Sequence, residues 1–267
     1  KENSVKYQRL SDDVAMATWN LLGSEARKTT SGCSLALEFR ICPEDEREAV
    51  AAELAELVRK DKGAISTGFL GTPVIMDAMS QNGHFEEAYS MLLREEIRSW
   101  LYPITVGATT IWERWEAIKP DGTPATGGSE GHAEGSEPSM ISFNHYAYGA
   151  VIDWVYRNVA GIAPTVKNPG YRHITFAPRP GEGFTFASAS VDTPLGIAAI
   201  DWKIVDNGNL AATIVVPFGS RAVIDLPVSA SSTLHVNGEV VSNKHEVGYG
   251  TYEVTLSAPA IAPFKVA

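Results

Sequence analysis

The feature that most constrains the fold of this chain is a change in the spacing of its apolar residues near Pro164. Before this point, apolar side chains recur at intervals of three and four, which is typical of amphipathic helices. After it, they alternate with other residues, which is typical of strands. A chain of 267 residues is long enough to give each part its own core. We therefore predict a helical domain over residues 1–163 and a β domain over residues 164–267.

The first part predicts helices joined by short turns that contain Gly and Pro. The clearest helix runs from Pro43 to Gly63, with Val50, Leu54 and Val58 on one face. Pro is favoured at the first helical position and Gly supplies a left-handed cap. In a second helix Thr72 is the candidate N-cap. This second helix ends at about residue 83, and the other predicted helices cover about residues 13–22, 85–97 and 143–159. The last of these helices should be largely buried. Helices that are joined by short turns favour antiparallel hairpins.

The second part predicts short antiparallel strands. Apolar residues alternate along 210–216, and residues 252–256 have the pattern of a final strand. Asn237-Gly238 and the segment 206–209 predict hairpin turns, because Asn-Gly adopts positive φ at low cost. Short strands separated by such turns predict an antiparallel β-sandwich. The chain is therefore a multi-domain protein of the α and β class.

Charge and composition exclude several classes of function. The net charge of −10 and the pI near 5.1 argue against a nucleic-acid groove, which needs clustered Lys and Arg. No apolar run is long enough to predict a membrane span, and no leader peptide is expected. Cys33 and Cys42 are predicted to be buried, reduced thiols. These properties fit the cytoplasm and the periplasm alike.

The candidate chemistry centres on Glu113, which lies between Trp112 and Trp115. Aromatic faces pack on the apolar faces of sugars, and a carboxylate binds hydroxyl groups or moves protons. The pattern is thus typical of a sugar site. The same residues are also typical of a core Trp pair beside a surface Glu. His145, between Asn144 and Tyr146, is likewise either a site residue or an ordinary core histidine.

The loop from Asp121 to Pro138 is rich in Gly, Ser and Glu and is predicted to be an exposed lid or insertion. Its Glu130, His132 and Glu134 could gather a metal, but no helical spacing places them on one face. The His-Ala-Glu segment matches half of a zinc deaminase motif, and the cysteine half is missing. We therefore predict a solvated acidic loop, no metal site and no cofactor.

Four segments together resemble the bacterial α-L-rhamnosidases of glycoside hydrolase family 78. They are STGFLGTP at 66–73, SWLYPITVGATTIWERW at 99–115, PDG at 120–122 and SFNHYAYGAV at 142–151. Further on, residues 194–202 and 214–227 resemble the C-terminal β-sandwich of that family. The resemblance begins at about Ser34, and residues 1–32 fit it poorly.

The resemblance implies part of an (α/α)6 barrel, a helical toroid that carries the active site, followed by a β-sandwich. It implies release of terminal α-L-rhamnose with inversion, so that the partners are rhamnose-containing glycosides. Glu113 matches the general base and His145 matches a substrate-binding histidine. Trp112 and Trp115 would wall the pocket. A loop near the barrel mouth is matched by Thr67, Gly68 and Phe69.

Two departures from the family pattern shape the prediction. The loop between Glu113 and His145 is longer than usual, and the segment that carries the general acid has no counterpart. Inversion needs two carboxyl groups about 6.5–9.5 Å apart. We therefore expect the C-terminal part of a longer enzyme, inactive by itself, whose partner is the remaining N-terminal part. The alternatives are a non-catalytic carbohydrate-binding protein and a related helical-barrel glycosidase for another sugar.

Overall fold

A computed structural model describes residues 2–125, 141–165, 168–181, 183–205 and 208–259. The chain divides into two compact units, Lys1–Val151 and Ile152–Ala267. The first is mainly helical and the second consists mainly of strands. The predicted order, a helical region followed by a β region, is confirmed. The domain limit between residues 163 and 164 stays a prediction.

The helical unit is built from helices that bury one face each. In its described part they are α1 (Glu2–Ala26), α2 (Thr30–Glu38), α3 (Arg47–Lys60), α4 (Thr72–Ser80), α5 (Phe85–Leu92) and α6 (Tyr102–Thr105). Helix α2 packs against α1, α3 and α4. Leu37 of α2, Leu54 of α3 and Met79 of α4 are all fully buried there. Among the described helices, none combines the length and the apolar character that crossing a membrane requires.

Helix α3 confirms the predicted apolar face but begins later than predicted. Val50, Leu54 and Val58 are at most 1% exposed. The helix starts at Arg47 because the carbonyl of Pro43 accepts the N–H of Glu46, at 3.1 Å, in a separate turn. At the other end Gly63 has the predicted left-handed conformation, with φ of 74°.

Sequence reasoning missed α2 and misplaced the end of α5. The Thr29 side chain caps α2 by accepting the N–H of Gly32 at 3.0 Å. Helix α5 was expected to reach residue 97 and ends at Leu92. Beyond it, the carbonyl of Arg98 accepts the N–H of Ile65 at 2.8 Å. The chain therefore bonds to the segment after α3 instead of continuing its own helix. Helix α1 includes the predicted segment 13–22 and extends beyond both of its ends.

The two cysteines lie in the core of this unit, as predicted. Cys33 is 0% exposed and Cys42 is 6% exposed, and both are free thiols. Burial raises the pKa of Cys33 to about 11 and also raises the pKa of Cys42. Both thiols are therefore protonated at neutral pH and poorly nucleophilic.

The predicted single, largely buried helix over 143–159 is wrong. A 3₁₀ helix, Tyr146–Ala150, is followed by α7 (Val151–Trp154) and a π-helical turn, Val155–Ala160. Tyr146 is 88% exposed and Ile152 is 57% exposed, whereas Trp154 is 2% exposed. The apolar residues of this segment cover more faces than the described fold buries. The segment ends at Gly161, as the sequence predicts, with φ of 85°.

The β unit contains two sheets. Its described strands are β1 (Ile162–Pro164), β2 (His173–Phe176), β3 (Phe186–Thr193), β4 (Gly196–Ile204), β5 (Leu210–Val216), β6 (Arg221–Ile224), β7 (Thr233–Val236), β8 (Glu239–Val241), β9 (His245–Val247) and β10 (Gly250–Ser257). One sheet has the order β1-β2-β6-β9 and the other β3-β4-β5-β10-β7-β8. Strands β2 and β6 pair in parallel, and the other described pairs are antiparallel.

The inward faces of the two sheets form one core, as expected of a sandwich. Phe176 of the first sheet and Trp202 and Ile214 of the second are fully buried. The Trp202 indole N–H donates to the carbonyl of Val159 at 2.9 Å, so this large ring has no unpaired polar atom. The predicted alternation along β5 is confirmed, with every second residue buried from Leu210 to Val216.

The predicted turn at Asn237-Gly238 is also confirmed. Asn237 has φ of 50° and Gly238 has φ of 83°, and the turn joins β7 to β8. The turn predicted at 206–209 lies partly outside the described residues, because residues 206 and 207 are not described.

Gly161 follows the π-helical turn and lies very close to Pro178. A substitution at this position tests how much that close packing matters for stability. A Cβ at this position would overlap the backbone nitrogen of Pro178, whereas a Cβ at Gly238 would have no neighbour within 4 Å. Both residues have positive φ, so a substitution costs each about 1–2 kcal/mol in backbone strain. We predict that Gly161→Ala lowers the free energy of unfolding by about 1–3 kcal/mol more than Gly238→Ala, measured by urea denaturation. Equal losses would show that the close approach is not needed.

Candidate active site

Glu113 and His145 lie on two neighbouring segments that run antiparallel. The N–H of Glu113 donates to the carbonyl of Ser142 at 2.9 Å, and the N–H of His145 donates to the carbonyl of Ile111 at 2.8 Å. Residues 126–140, which connect the segments, lie outside the described residues. The backbone pairing therefore places the two predicted site residues on adjacent backbone segments despite the long loop between them.

The Glu113 carboxylate is held by the same pairing. Its Oε2 atom accepts the backbone N–H of Ser142 at 2.7 Å, and the residue is half-buried. Two carboxylate oxygens together offer about four lone-pair positions, so this bond can orient the carboxylate without using its whole capacity to accept hydrogen bonds. Such a carboxylate can accept a proton from a bound water.

An aromatic cavity of about 380 Å³ lies beside the residues that flank Glu113. Its lining consists of Trp100, Pro103, Ile104, Ala108, Thr109, Thr110, Ile111, Trp112, Arg114, Trp115 and Tyr148. Of the predicted site residues, Trp112 and Trp115 line it, while Glu113, His145 and the 67–69 loop are not among its lining residues. Its volume and its apolar walls are typical of a small-molecule pocket.

Sequence reasoning did not single out Trp100 and Tyr148. Both lie in segments that carry the family resemblance, and this was the only available signal for them. The Trp115 and Tyr148 rings stack with centroids 3.9 Å apart and an angle of 6°. The Trp100 indole donates to the carbonyl of Tyr148 at 2.8 Å. These contacts join three segments that are distant in the sequence.

The 67–69 loop contacts both Trp115 and His145. The carbonyl of Thr67 accepts the indole N–H of Trp115 at 3.0 Å. The Phe69 ring stacks on the His145 imidazole, with centroids 4.6 Å apart and an angle of 3°. Thr67 is buried, whereas Gly68 and Phe69 are exposed. The loop therefore contacts one side chain near Glu113 and also His145 itself.

Thr72 does not act as the predicted N-cap. Helix α4 begins at Thr72 itself, with Gly71 at the cap position. The buried Thr72 hydroxyl instead bonds to the Thr67 hydroxyl at 2.8 Å and to the carbonyl of Gly68 at 2.9 Å. This hydroxyl pair anchors the 67–69 loop to the start of α4.

The three candidate metal ligands in the sequence lie in the loop that connects Glu113 to His145. Glu130, His132 and Glu134, which were predicted to form a solvated acidic loop, lie outside the described residues. Within the ranges that the structure describes, no group of three or more His, Cys, Asp or Glu side chains could hold a metal ion.

Comparison with known families matches both units. Residues 4–159 match the bacterial alpha-L-rhamnosidase 6 hairpin glycosidase domain, and residues 161–254 match the bacterial alpha-L-rhamnosidase C-terminal domain. The fold is thus that of a six-hairpin glycosidase segment with its C-terminal β domain. The chain belongs to the bacterial α-L-rhamnosidase family.

The matched range corrects the expectation that residues 1–32 fit the family poorly, because it begins at residue 4. The structure gives a physical reason. Trp19 of α1 is 8% exposed and donates to the Glu46 carboxylate at 3.0 Å. Arg27 also forms ion pairs with Glu46 and Glu53, at 2.9 and 2.6 Å. The first helix is therefore an integral part of the helical unit.

Individual relatives agree with this assignment. An α-L-rhamnosidase of Formosa agariphila is 36% identical over 91% of this chain, and one of Streptomyces avermitilis is 36% identical over 85%. The aligned residues are 25% and 21% of those proteins, so the chain spans a quarter or less of their length.

Solved structures show the same likeness. The structure of Streptomyces avermitilis α-L-rhamnosidase complexed with L-rhamnose aligns with a TM-score of 0.75 and 35% identity, over 86% of this chain and 22% of that one. Native α-L-rhamnosidase from Aspergillus terreus aligns with a TM-score of 0.74 and 30% identity, over 86% and 24%.

The hydroxyl pair that anchors the 67–69 loop can be tested by Thr72→Val, which keeps the shape of the side chain. We predict a loss of about 1–3 kcal/mol in the free energy of unfolding, because the buried Thr67 hydroxyl loses its partner and the carbonyl of Gly68 loses the hydroxyl while it retains the backbone N–H of residue 72. The control is Thr105→Val, since the Thr105 hydroxyl also donates to a carbonyl but is on an exposed residue. Urea denaturation of both variants gives the comparison. An equal, small loss for both would contradict the anchoring role.

Proposed function

We propose that this chain supplies the general base and part of the sugar-binding site of an inverting α-L-rhamnosidase that releases terminal α-L-rhamnose. The observation that carries the proposal is the backbone pairing that brings Glu113 and His145 together. Family membership and the solved relative with bound L-rhamnose support the choice of sugar. The alternative is that the same Trp and His side chains hold a sugar without cleaving it. Measurements of hydrolysis and of rhamnose binding distinguish the two functions.

In the proposed mechanism Glu113 activates the attacking water. The Ser142 N–H holds Oε2 of the carboxylate, and the carboxylate accepts a proton from water as that water attacks the anomeric carbon. A second carboxyl group, on the part of the enzyme outside this chain, protonates the departing glycosidic oxygen. A separation of about 6.5–9.5 Å leaves room for the water and gives inversion.

The other site residues have binding roles in this proposal. Trp112 and Trp115 present apolar walls, on which the C–H faces and the methyl group of a deoxy-sugar can pack. His145 hydrogen-bonds to the sugar. The 67–69 loop forms part of the rim, with Gly68 and Phe69 exposed and Thr67 buried behind them.

We further propose that the remaining part of the barrel packs on an apolar stripe of α1. The stripe consists of Tyr7, Leu10, Val14 and Leu21, which are 54–77% exposed. Their spacing in sevens, threes and fours places them along one side of the helix. Exposed apolar stripes of this kind favour association with another helix. The purified chain is then inactive and self-associates through this stripe.

The role of Glu113 can be tested in the gene product that carries this chain. We predict that Glu113→Gln lowers kcat on an aryl α-L-rhamnoside by about 10²–10⁴, because the amide cannot accept the proton from water. Rhamnose binding, measured by calorimetry, should persist. Glu116→Gln, a half-buried glutamate three residues further on, is the control and should keep the parent rate.

Three other outcomes would lead to different conclusions. A Glu113→Gln variant with the parent rate overturns the assignment of the base. Rhamnose binding without any hydrolysis by the parent protein favours the non-catalytic alternative. A clear preference for another aryl glycoside overturns the choice of sugar.

The α1 stripe gives a separate test on the purified chain. Leu21→Lys places a charge on the stripe, whereas Asn20→Lys adds the same charge at an exposed neighbouring position off the stripe. We predict that Leu21→Lys reduces concentration-dependent self-association in sedimentation velocity and that Asn20→Lys does not. If both variants associate as the parent does, the stripe is not the contact surface.

A further inference from the structure

The Phe69 ring stacks on the His145 imidazole in a geometry that can hold the imidazole in place. The two rings are parallel within 3°, so the phenyl ring covers one face of the imidazole. Phe69 also contacts Tyr148, with centroids 5.2 Å apart and an angle of 42°. The phenyl ring therefore has two aromatic neighbours, and it lies closer to the imidazole than the ring of Tyr146 does, which is 6.2 Å away at an angle of 15°.

The position of the Nδ1 atom defines the rotation of the imidazole within that plane. Nδ1 of His145 is buried and forms no hydrogen bond with the part of the chain that the structure describes. A neutral imidazole has one N–H donor and one bare acceptor nitrogen. An unpaired buried N–H group is the rarer and costlier of the two states. The favoured neutral tautomer accordingly leaves Nδ1 bare and carries its proton on Nε2.

We propose that Phe69 is a positioning residue that holds the His145 ring with Nδ1 directed inward, so that His145 binds the sugar as a hydrogen-bond donor through Nε2–H. This inference rests on the proposed role of His145 in sugar binding. Phe69 acts through the imidazole. The bond from the Trp115 indole to the carbonyl of Thr67, two residues before Phe69, ties the supporting loop to the segment that carries Glu113.

A spectroscopic test uses the purified chain labelled with ¹⁵N. Long-range ¹H–¹⁵N correlations report the protonation of each imidazole nitrogen, and a His145→Gln variant identifies the signals. We expect Nε2 to be protonated and Nδ1 to be bare. Phe69→Leu removes the ring, so the His145 ring protons should move downfield and the preference for one tautomer should weaken, whereas Phe69→Tyr should keep both properties.

Phe143→Leu is the matched control for this spectrum. Phe143 is 42% exposed, against 43% for Phe69, but its ring lies edge-on to Trp112. Its removal should leave the His145 signals in place. A parent protein with the proton on Nδ1 overturns the proposal, and so does a Phe69→Leu spectrum that matches Phe143→Leu.

A kinetic test uses the gene product that carries this chain. Phe69→Leu should raise KM for an aryl rhamnoside about tenfold, with a smaller effect on kcat, because an aromatic pair is worth up to about a factor of ten. Phe69→Tyr should restore the parent KM. An unchanged KM in Phe69→Leu would count against the positioning role. If Glu113→Gln keeps the parent rate, the proposed base is wrong. The His145 spectrum still tests the positioning role of Phe69 in that case.

Discussion

The candidate site depends on one buried indole, that of Trp115. Its face stacks on Tyr148 and its N–H donates to the carbonyl of Thr67, so a single side chain joins three distant segments. Indole suits this position because it combines a large apolar area with one donor that must find a partner when buried. A phenyl ring could provide the stacking but would leave the carbonyl of Thr67 without that donor.

The antiparallel pairing of Ile111 and Glu113 with Ser142 and His145 explains how these residues become neighbours across a long stretch of sequence. The two segments are joined by backbone hydrogen bonds at the base of the loop, and the entropy of closing a loop grows only slowly with its length. The backbone positions of Glu113 and His145 are therefore set by the pairing at the base of the loop.

Sequence patterns predicted those elements in which one periodic face is buried. The stripe of Val50, Leu54 and Val58 and the alternation along β5 are examples, because burial follows the pattern directly there. Helix α2 was missed because Gly32 and several Ser and Thr residues have low helix propensity, and tertiary packing determines the outcome.

The site was predicted only in part for a related reason. Motifs pointed to Glu113 and His145, but the contact of Phe69 with His145 joins segments that are far apart in the sequence. No local pattern encodes such a contact. The close approach of Pro178 to Gly161 is likewise a contact between separate segments, which the spacing of apolar residues does not report.

One property of the chain and the mechanism that we propose for it lead to the same requirement. The exposed stripe on α1 calls for a further helix, and inverting hydrolysis calls for a second carboxyl group. One additional portion of the barrel supplies both in the proposed enzyme. The orientation of Glu113 is fixed within this chain by Ser142, whereas the position of the acid depends on how the other portion packs. In the proposed enzyme, the distance between the two carboxyl groups, and with it the stereochemical outcome, therefore depends on how the two portions pack as well as on the orientation of Glu113.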